Sequence, residues 1–162
     1  PTSLLGQCRP PSIARRRRME LAKCTKKYWD TILQIRNENR EGFGNTKVID
    51  KKTHYAFFKK YGEFYYVCVE SPHVLGFIGH LDEDIRVATN KKFQNKGVGK
   101  FMVEEFMKLQ PNAFAKIKSG NIKSLKLFAS CGFEKKYEIL ALPDNKNPIP
   151  HPTGVKSPKD FM

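Results

Sequence analysis

Residues 84 to 118 constrain the fold more than any other part of the chain. They run from a β-rich segment, "DIRVAT" (84–89), through a glycine-bearing loop, "FQNKGVGKFM" (93–102), into an amphipathic helix, and on to "AFAKIK" (113–118). Val98, Phe101, Met102, Val103, Phe106 and Leu109 recur at helical spacing, and Pro111 lies just past the end. A strand, a crossover helix and a second strand imply a parallel pair, since parallel strands need a long return connection. The class expected is α/β, with a mixed sheet covered by helices.

The rest of the chain fits around that unit. "MELAKCT" (19–25) is a short strand candidate, and Tyr28, Trp29, Ile32, Leu33 and Ile35 mark an amphipathic helix from Lys26 to about Asn39. Asp50 is placed to cap a second helix, which runs to about Tyr61 and ends at Gly62. The period then changes to two: "EFYYVCVE" (63–70) and "VLGFIGHL" (74–81) read as a hairpin, followed through the tight turn "DED" by 84–89. Residues 121–131 form a helix with Asn121 near its cap, Gly132 ends it, and "FEKKYEILAL" is the last strand. The expected order is β-α-α-β-β-β-α-β-α-β. Most of the ten prolines lie in residues 1–18 and 143–162, which show neither period. Both segments are expected to be flexible tails, basic at the N-terminus and Pro-rich at the C-terminus, around a folded domain at 19–142.

A net charge of +14 favours anionic partners. The run Arg15 to Arg18 suits a nucleic-acid or nuclear-import patch, and equally suits an extension with no role. The four cysteines are scattered, with no C-x-x-C pair and no His cluster, so neither a zinc site nor a secreted disulfide scaffold is expected. No apolar run approaches the ~18 residues that span a bilayer. A soluble, cytoplasmic protein without a metal is the expectation.

Gly97 and Gly99 sit between a strand and a helix, where glycine lets the backbone approach a ligand and helix N–H groups lack partners. An anion placed there gains those donors and the positive end of the helix dipole, with Lys96 and Lys100 adding charge. Taken alone, the same pattern is more often just a tight turn. It is not a Walker A loop, which requires G-x-x-x-x-G-K-[ST], and it lacks the third glycine of a dinucleotide fingerprint.

"QNKGVG" (Gln94 to Gly99) resembles the Q/R-x-x-G-x-G/A signature of the GNAT acetyltransferase superfamily. "NIKSLKLFASCGF" (121–133) is similar to that family's N-x-x-S-x-x-L-[YF]-x-x-x-G-F segment. The two stand in register, and the resemblance covers about 19 to 140. It implies a GNAT-like mixed central sheet flanked by helices and acetyl-CoA as cosubstrate, its pantetheine arm lying where the fourth strand splays from the fifth. Main-chain groups of Val87 and Thr89 would meet pantetheine. Gln94, Asn95, Lys96, Gly97, Val98, Gly99 and Lys100 would hold the pyrophosphate, and Asn121 and Ser124 would reach pantetheine or the nucleotide side. Asn121 also reads as a plain helix cap.

Acetyl transfer to an amine requires that the amine lose a proton and that an oxyanion and a thiolate be stabilised. Glu83, flanked by Asp82 and Asp84 just before the fourth strand, is the first candidate base, and His80 the second. Phe128 departs from the family's usual tyrosine acid, leaving water, Tyr137 or Cys131 to serve, or a step that needs no acid. The acceptor expected is a primary amine: an amino sugar nucleotide, a protein or peptide amine, or a small amine. Arg36 and Arg40 are placed to meet a phosphate or carboxylate, and acidic residues on the substrate side are not prominent. A basic nucleic-acid-binding module on the same scaffold is the alternative.

Overall fold

The computed structural model describes residues 12–146. A short helix α1 (Ile13–Arg18) leads into a sheet of β1 (Glu20–Lys23), β2 (Tyr65–Glu70), β3 (His73–Leu81) and β4 (Asp84–Thr89). The strands lie in the order β1-β2-β3-β4, and each neighbour is antiparallel. Because side chains alternate along a strand, cross-strand rows sort onto two faces. Tyr66, Ile78 and Val87 are neighbours on one face, and Val67, Phe77 and Ala88 on the other. Helices α2 (Trp29–Glu38) and α3 (Lys51–Tyr61) pack on the second face with Ile32, Ile35, Phe57 and Phe58. Helices α4 (Val98–Leu109) and α5 (Ile122–Ser130) pack on the first with Phe101, Met102, Phe106 and Phe128.

The helix limits follow from local chemistry. Asp50 caps α3 by accepting from the Thr53 N–H at 2.8 Å, satisfying one of the orphan donors of a helix start. Asn121 does the same for α5 with the Ser124 N–H at 3.2 Å.

Three expectations are corrected. Residues 12–18 are not a loose tail: α1 is capped by Ser12, Arg15 faces Glu70 at 3.7 Å, and Arg16 pairs with Glu104. Two arginines of the basic run are thus engaged by the protein's own carboxylates rather than presented as a free cationic patch. The segment 113–118 joins β4 by a single parallel bridge, Asp84 to Phe114. The ladder starts as it should, with Ile85 N–H to Phe114 C=O at 2.8 Å and Phe114 N–H to Glu83 C=O at 2.9 Å. It stops because the next donor, Lys116 N–H, goes to the Asp84 carboxylate at 3.2 Å, where a continuing parallel ladder would send it to the Ile85 carbonyl. The third correction follows: residues 133–142 form no strand, since the edge they would pair with is not extended. Their charges pair locally, Lys135 with Glu138 and Lys136 with Glu134, and Leu140 is 92% exposed. The C-terminal tail falls outside the described residues from 147 onward.

His54 and His80 give the fold a pH dependence with a definite sign. Burial is the main cause that lowers both imidazoles from their ordinary 6.5. His54 Nε2 bonds the Trp29 carbonyl at 2.7 Å, while its buried Nδ1 has no hydrogen-bond partner, so a proton there would be stranded. Below about pH 6.5 the unfolded chain takes up protons that the folded histidines refuse. Stability is complete above that value and is lost as pH falls toward the lowered folded values. The thermal midpoint should therefore decline from pH 7.5 to 5.5. His54→Gln should flatten that decline, and an equally steep fall in the variant would remove His54 from the account.

Candidate active site

Strand β4 places one edge against β3 and the other toward open space. Asn90 N–H donates to the Leu75 carbonyl of β3 at 2.8 Å. Alternation then turns the N–H and C=O of Ile85, Val87 and Thr89 the opposite way. Ile85 uses its N–H on Phe114, and beyond it the partner segment has parted from the strand. Val87 and Thr89 consequently line a cleft of about 370 Å³.

The far side of the cleft is the start of α4. Gly97 caps that helix in the left-handed region (φ 77°), without a side-chain cap bond, a conformation glycine adopts without the Cβ penalty. The first helical bond runs from Phe101 N–H to Gly97 C=O, so the N–H groups of Val98, Gly99 and Lys100 belong to the unpaired first turn and point outward. Gly99 also lets two helices meet, since a Cβ there would stand 3.2 Å from Leu127 of α5. Such a surface suits a diphosphate: several donors, the positive end of a twelve-residue helix, and Lys91 and Lys123 on the rim.

Gln94, Asn95, Gly97, Val98, Gly99, Lys100, Asn121 and Ser124 all line the same cleft as Val87 and Thr89. Lys96 does not, and instead lies over the Phe93 ring at 5.8 Å. Lys100 is shared with Glu104 at 3.9 Å.

The catalytic candidates lie elsewhere. Leu81 and Asp84 pair across a two-residue turn in which Asp82 (φ 48°) and Glu83 (φ 69°) are both left-handed, the geometry that matches strand twist in a hairpin. This exposes Glu83 at the tip, four residues from Val87. Its N–H donates to His80 Nδ1 at 3.2 Å. That bond fixes neutral His80 with its proton on Nε2, and the ring rests against Phe64 and Phe106. The structure thus brings Glu83 and His80 together but not into the lining of the cleft. Tyr137 is 75% exposed and also off the cleft. Phe128 is core, packed edge-on against Phe133 at 5.0 Å.

Three features were missed from sequence. Glu38 and Glu41, with Gly42 and Phe43, form the wall opposite α4, so carboxylates are present on that side after all. Arg36 does not meet a ligand: it is fully buried, donates to the carbonyls of Asn45 and Lys47, and lies over Phe43. It braces the loop that carries Phe43 to the cleft. Asn39 joins three walls at once, and no local pattern signals it.

Residues 29–133 match the model of the acetyltransferase (GNAT) family. The chain belongs to the GNAT acetyltransferase family. Its fold is shared with yncA of Salmonella typhimurium, solved with its cofactor acetyl-CoA, at 20% identity and a TM-score of 0.61 over 72% of this chain and 80% of that one. It is similar to spermidine N-acetyltransferase from Vibrio cholerae, in complex with CoA and spermine, at 12% identity and a TM-score of 0.61 over 75% and 83%. It is also similar to AAC(6')-Iy bound to a CoA bisubstrate analog, at 13% identity and a TM-score of 0.62 over 78% and 98%. No curated protein matches the sequence. As a GNAT member the protein is an acetyl-CoA-dependent acetyltransferase, and the residues of the cleft fit that cosubstrate: an open strand edge for the arm and an α4 start for the diphosphate. No helix among the described residues is long and apolar enough to cross a membrane.

Proposed function

We propose that this GNAT acetyltransferase acetylates a primary amine by direct transfer within a ternary complex. One observation carries the proposal: among the described residues β4 has no strand partner on its outer edge from Val87 onward, and that edge leads to the start of α4, whose first-turn N–H groups have no helical partner. Bound acetyl-CoA would supply an activated acyl thioester. Val87 and Thr89 would meet the pantetheine arm through main-chain groups. The Gln94 to Lys100 loop would hold the pyrophosphate, and Asn121 and Ser124 would flank the nucleotide side. Val87 N–H would hold an oxygen as charge develops on it, with Thr89 N–H the next donor along the same edge.

Proton removal from the amine is assigned to Glu83, acting through water along the β4 edge, with His80 as the second candidate. Among the described residues the cleft lining includes no tyrosine, histidine or cysteine, and water is assigned as the proton donor to the departing thiolate. Among the acceptors considered, Glu38 and Glu41 favour a small cationic amine over an amino sugar nucleotide. Carboxylates beside the cleft raise the local concentration of a cation, Glu38 more than Glu41, whose charge is shared with Arg40 at 3.7 Å. The test is thiol release from acetyl-CoA across small amines, peptides and amino sugar nucleotides. Amine-dependent release, fastest with diamines or polyamines, is expected. Release with no amine-dependent component would overturn the proposal, and a preference for sugar nucleotides would overturn the acceptor class.

A further inference from the structure

Asn39 ends α2, and its local duty is plain. Its backbone N–H bonds the carbonyls of Ile35 and Arg36, and its Nδ2 also reaches the Ile35 carbonyl at 2.8 Å. A cap needs no more than that. Yet the same Nδ2 donates to the Thr89 carbonyl at 3.0 Å, fifty residues along the chain, and Oδ1 accepts from Gln94 Nε2 at 3.4 Å. Three walls of the cleft therefore meet on one amide: the acidic wall through α2, the open strand edge through Thr89, and the diphosphate loop through Gln94.

We infer that Asn39 is a positioning residue, which holds the end of β4 and the Gln94 loop at the separation that binds acetyl-CoA. It acts in two ways. Holding the Thr89 carbonyl occupies one of its two lone pairs, so the edge offers a ligand a freer acceptor at Val87 than at Thr89. Holding Gln94 fixes where the loop begins relative to that edge, and so where the Val98 to Lys100 donors stand. A side-chain amide suits the place because it carries two donors and an acceptor within one short, rigid group. Aspartate would turn an oxygen toward the Thr89 and Ile35 carbonyls and lose both bonds.

The inference rests on acetyl-CoA occupying the cleft, and a double-mutant cycle on acetyl-CoA affinity separates the two. Titration calorimetry would compare wild type, Asn39→Ala, Gln94→Ala and the double variant. Each single change should weaken binding by roughly five- to tenfold, in line with one lost hydrogen bond. The double variant should lose clearly less than the sum of the two single losses, because groups in one network do not add. A residue that merely capped α2 would lower the thermal midpoint and give additive losses, which would overturn the inference. So would unchanged affinity in Asn39→Ala. Should that variant fold poorly, Asn39→Ser replaces it: serine can still cap the helix but cannot span both Thr89 and Gln94. Failure of wild type to bind acetyl-CoA would overturn the cleft assignment itself, and this inference with it.

Discussion

Gly99→Glu is expected to abolish the rise in thermal midpoint that acetyl-CoA produces in the wild type. A ligand at a hundred times its Kd adds about 2.7 kcal/mol to the folded state. For a domain of this size that corresponds to roughly 5–10 °C. Glutamate at this position places bulk and a negative charge among the free N–H groups of the first turn of α4, where the diphosphate would sit. The fold should survive, because the nearest atoms to a new Cβ are the terminal carbons of Leu127, at 3.2 and 3.3 Å, which can swing aside. Gly99→Ala is the control for that small crowding and should keep most of the shift. A full shift in Gly99→Glu would mean that the diphosphate does not use the α4 start.

Glu83→Gln should lower kcat/KM by about 10²–10⁴-fold, the range for loss of a general base, and should leave acetyl-CoA affinity unchanged. The second half follows from placement: Glu83 lies at the hairpin tip, away from the residues that line the cleft. The acidic limb of the pH–rate profile should vanish with the carboxylate. His80→Gln distinguishes the neighbour. Its Nδ1 is held by the Glu83 N–H at 3.2 Å, so His80 must release that bond before it can accept a proton there. If Glu83→Gln keeps activity within threefold of wild type and His80→Gln does not, the imidazole is the base. If both keep it, the amine arrives already neutral.

What could be read from the sequence divides by the range of the interactions involved. Helix α4 was legible to the residue, Val98 to Leu109, because its apolar spacing, its glycines and Pro111 all act locally. The cap at Asp50 and the turn through Asp82 and Glu83 were legible for the same reason. The residues that the signature in 94–99 and 121–133 singles out share one cleft, apart from Lys96. Features set by contacts across the chain were not legible. Residues 113–118 and 133–142 have strand-like patterns, but a buried carboxylate on β4 takes the Lys116 N–H and the pairing ends there. Arg36 looks like any surface helix arginine until the loop carbonyls of Asn45 and Lys47 fold over it. Helix α1 depends on Glu70 and Glu104, which nothing near Arg15 or Arg16 announces.

The parting of β4 from the 114–118 segment also works as a depth stop. The Asp84 carboxylate sits 3% exposed, with Arg86 at 3.4 Å and Lys116 at 3.8 Å holding it in place. It fixes the residue at which the slot begins, while the start of α4 fixes where the slot ends. A strand advances about 3.3 Å per residue, so one more pair in the ladder would shorten the slot by about two residues, roughly 7 Å. The reactive end of anything anchored at Gly97 would then stand that much farther out. Reach along this groove would thus be gauged by one side chain, and a cosubstrate lying in it would be measured by a carboxylate that never needs to touch it.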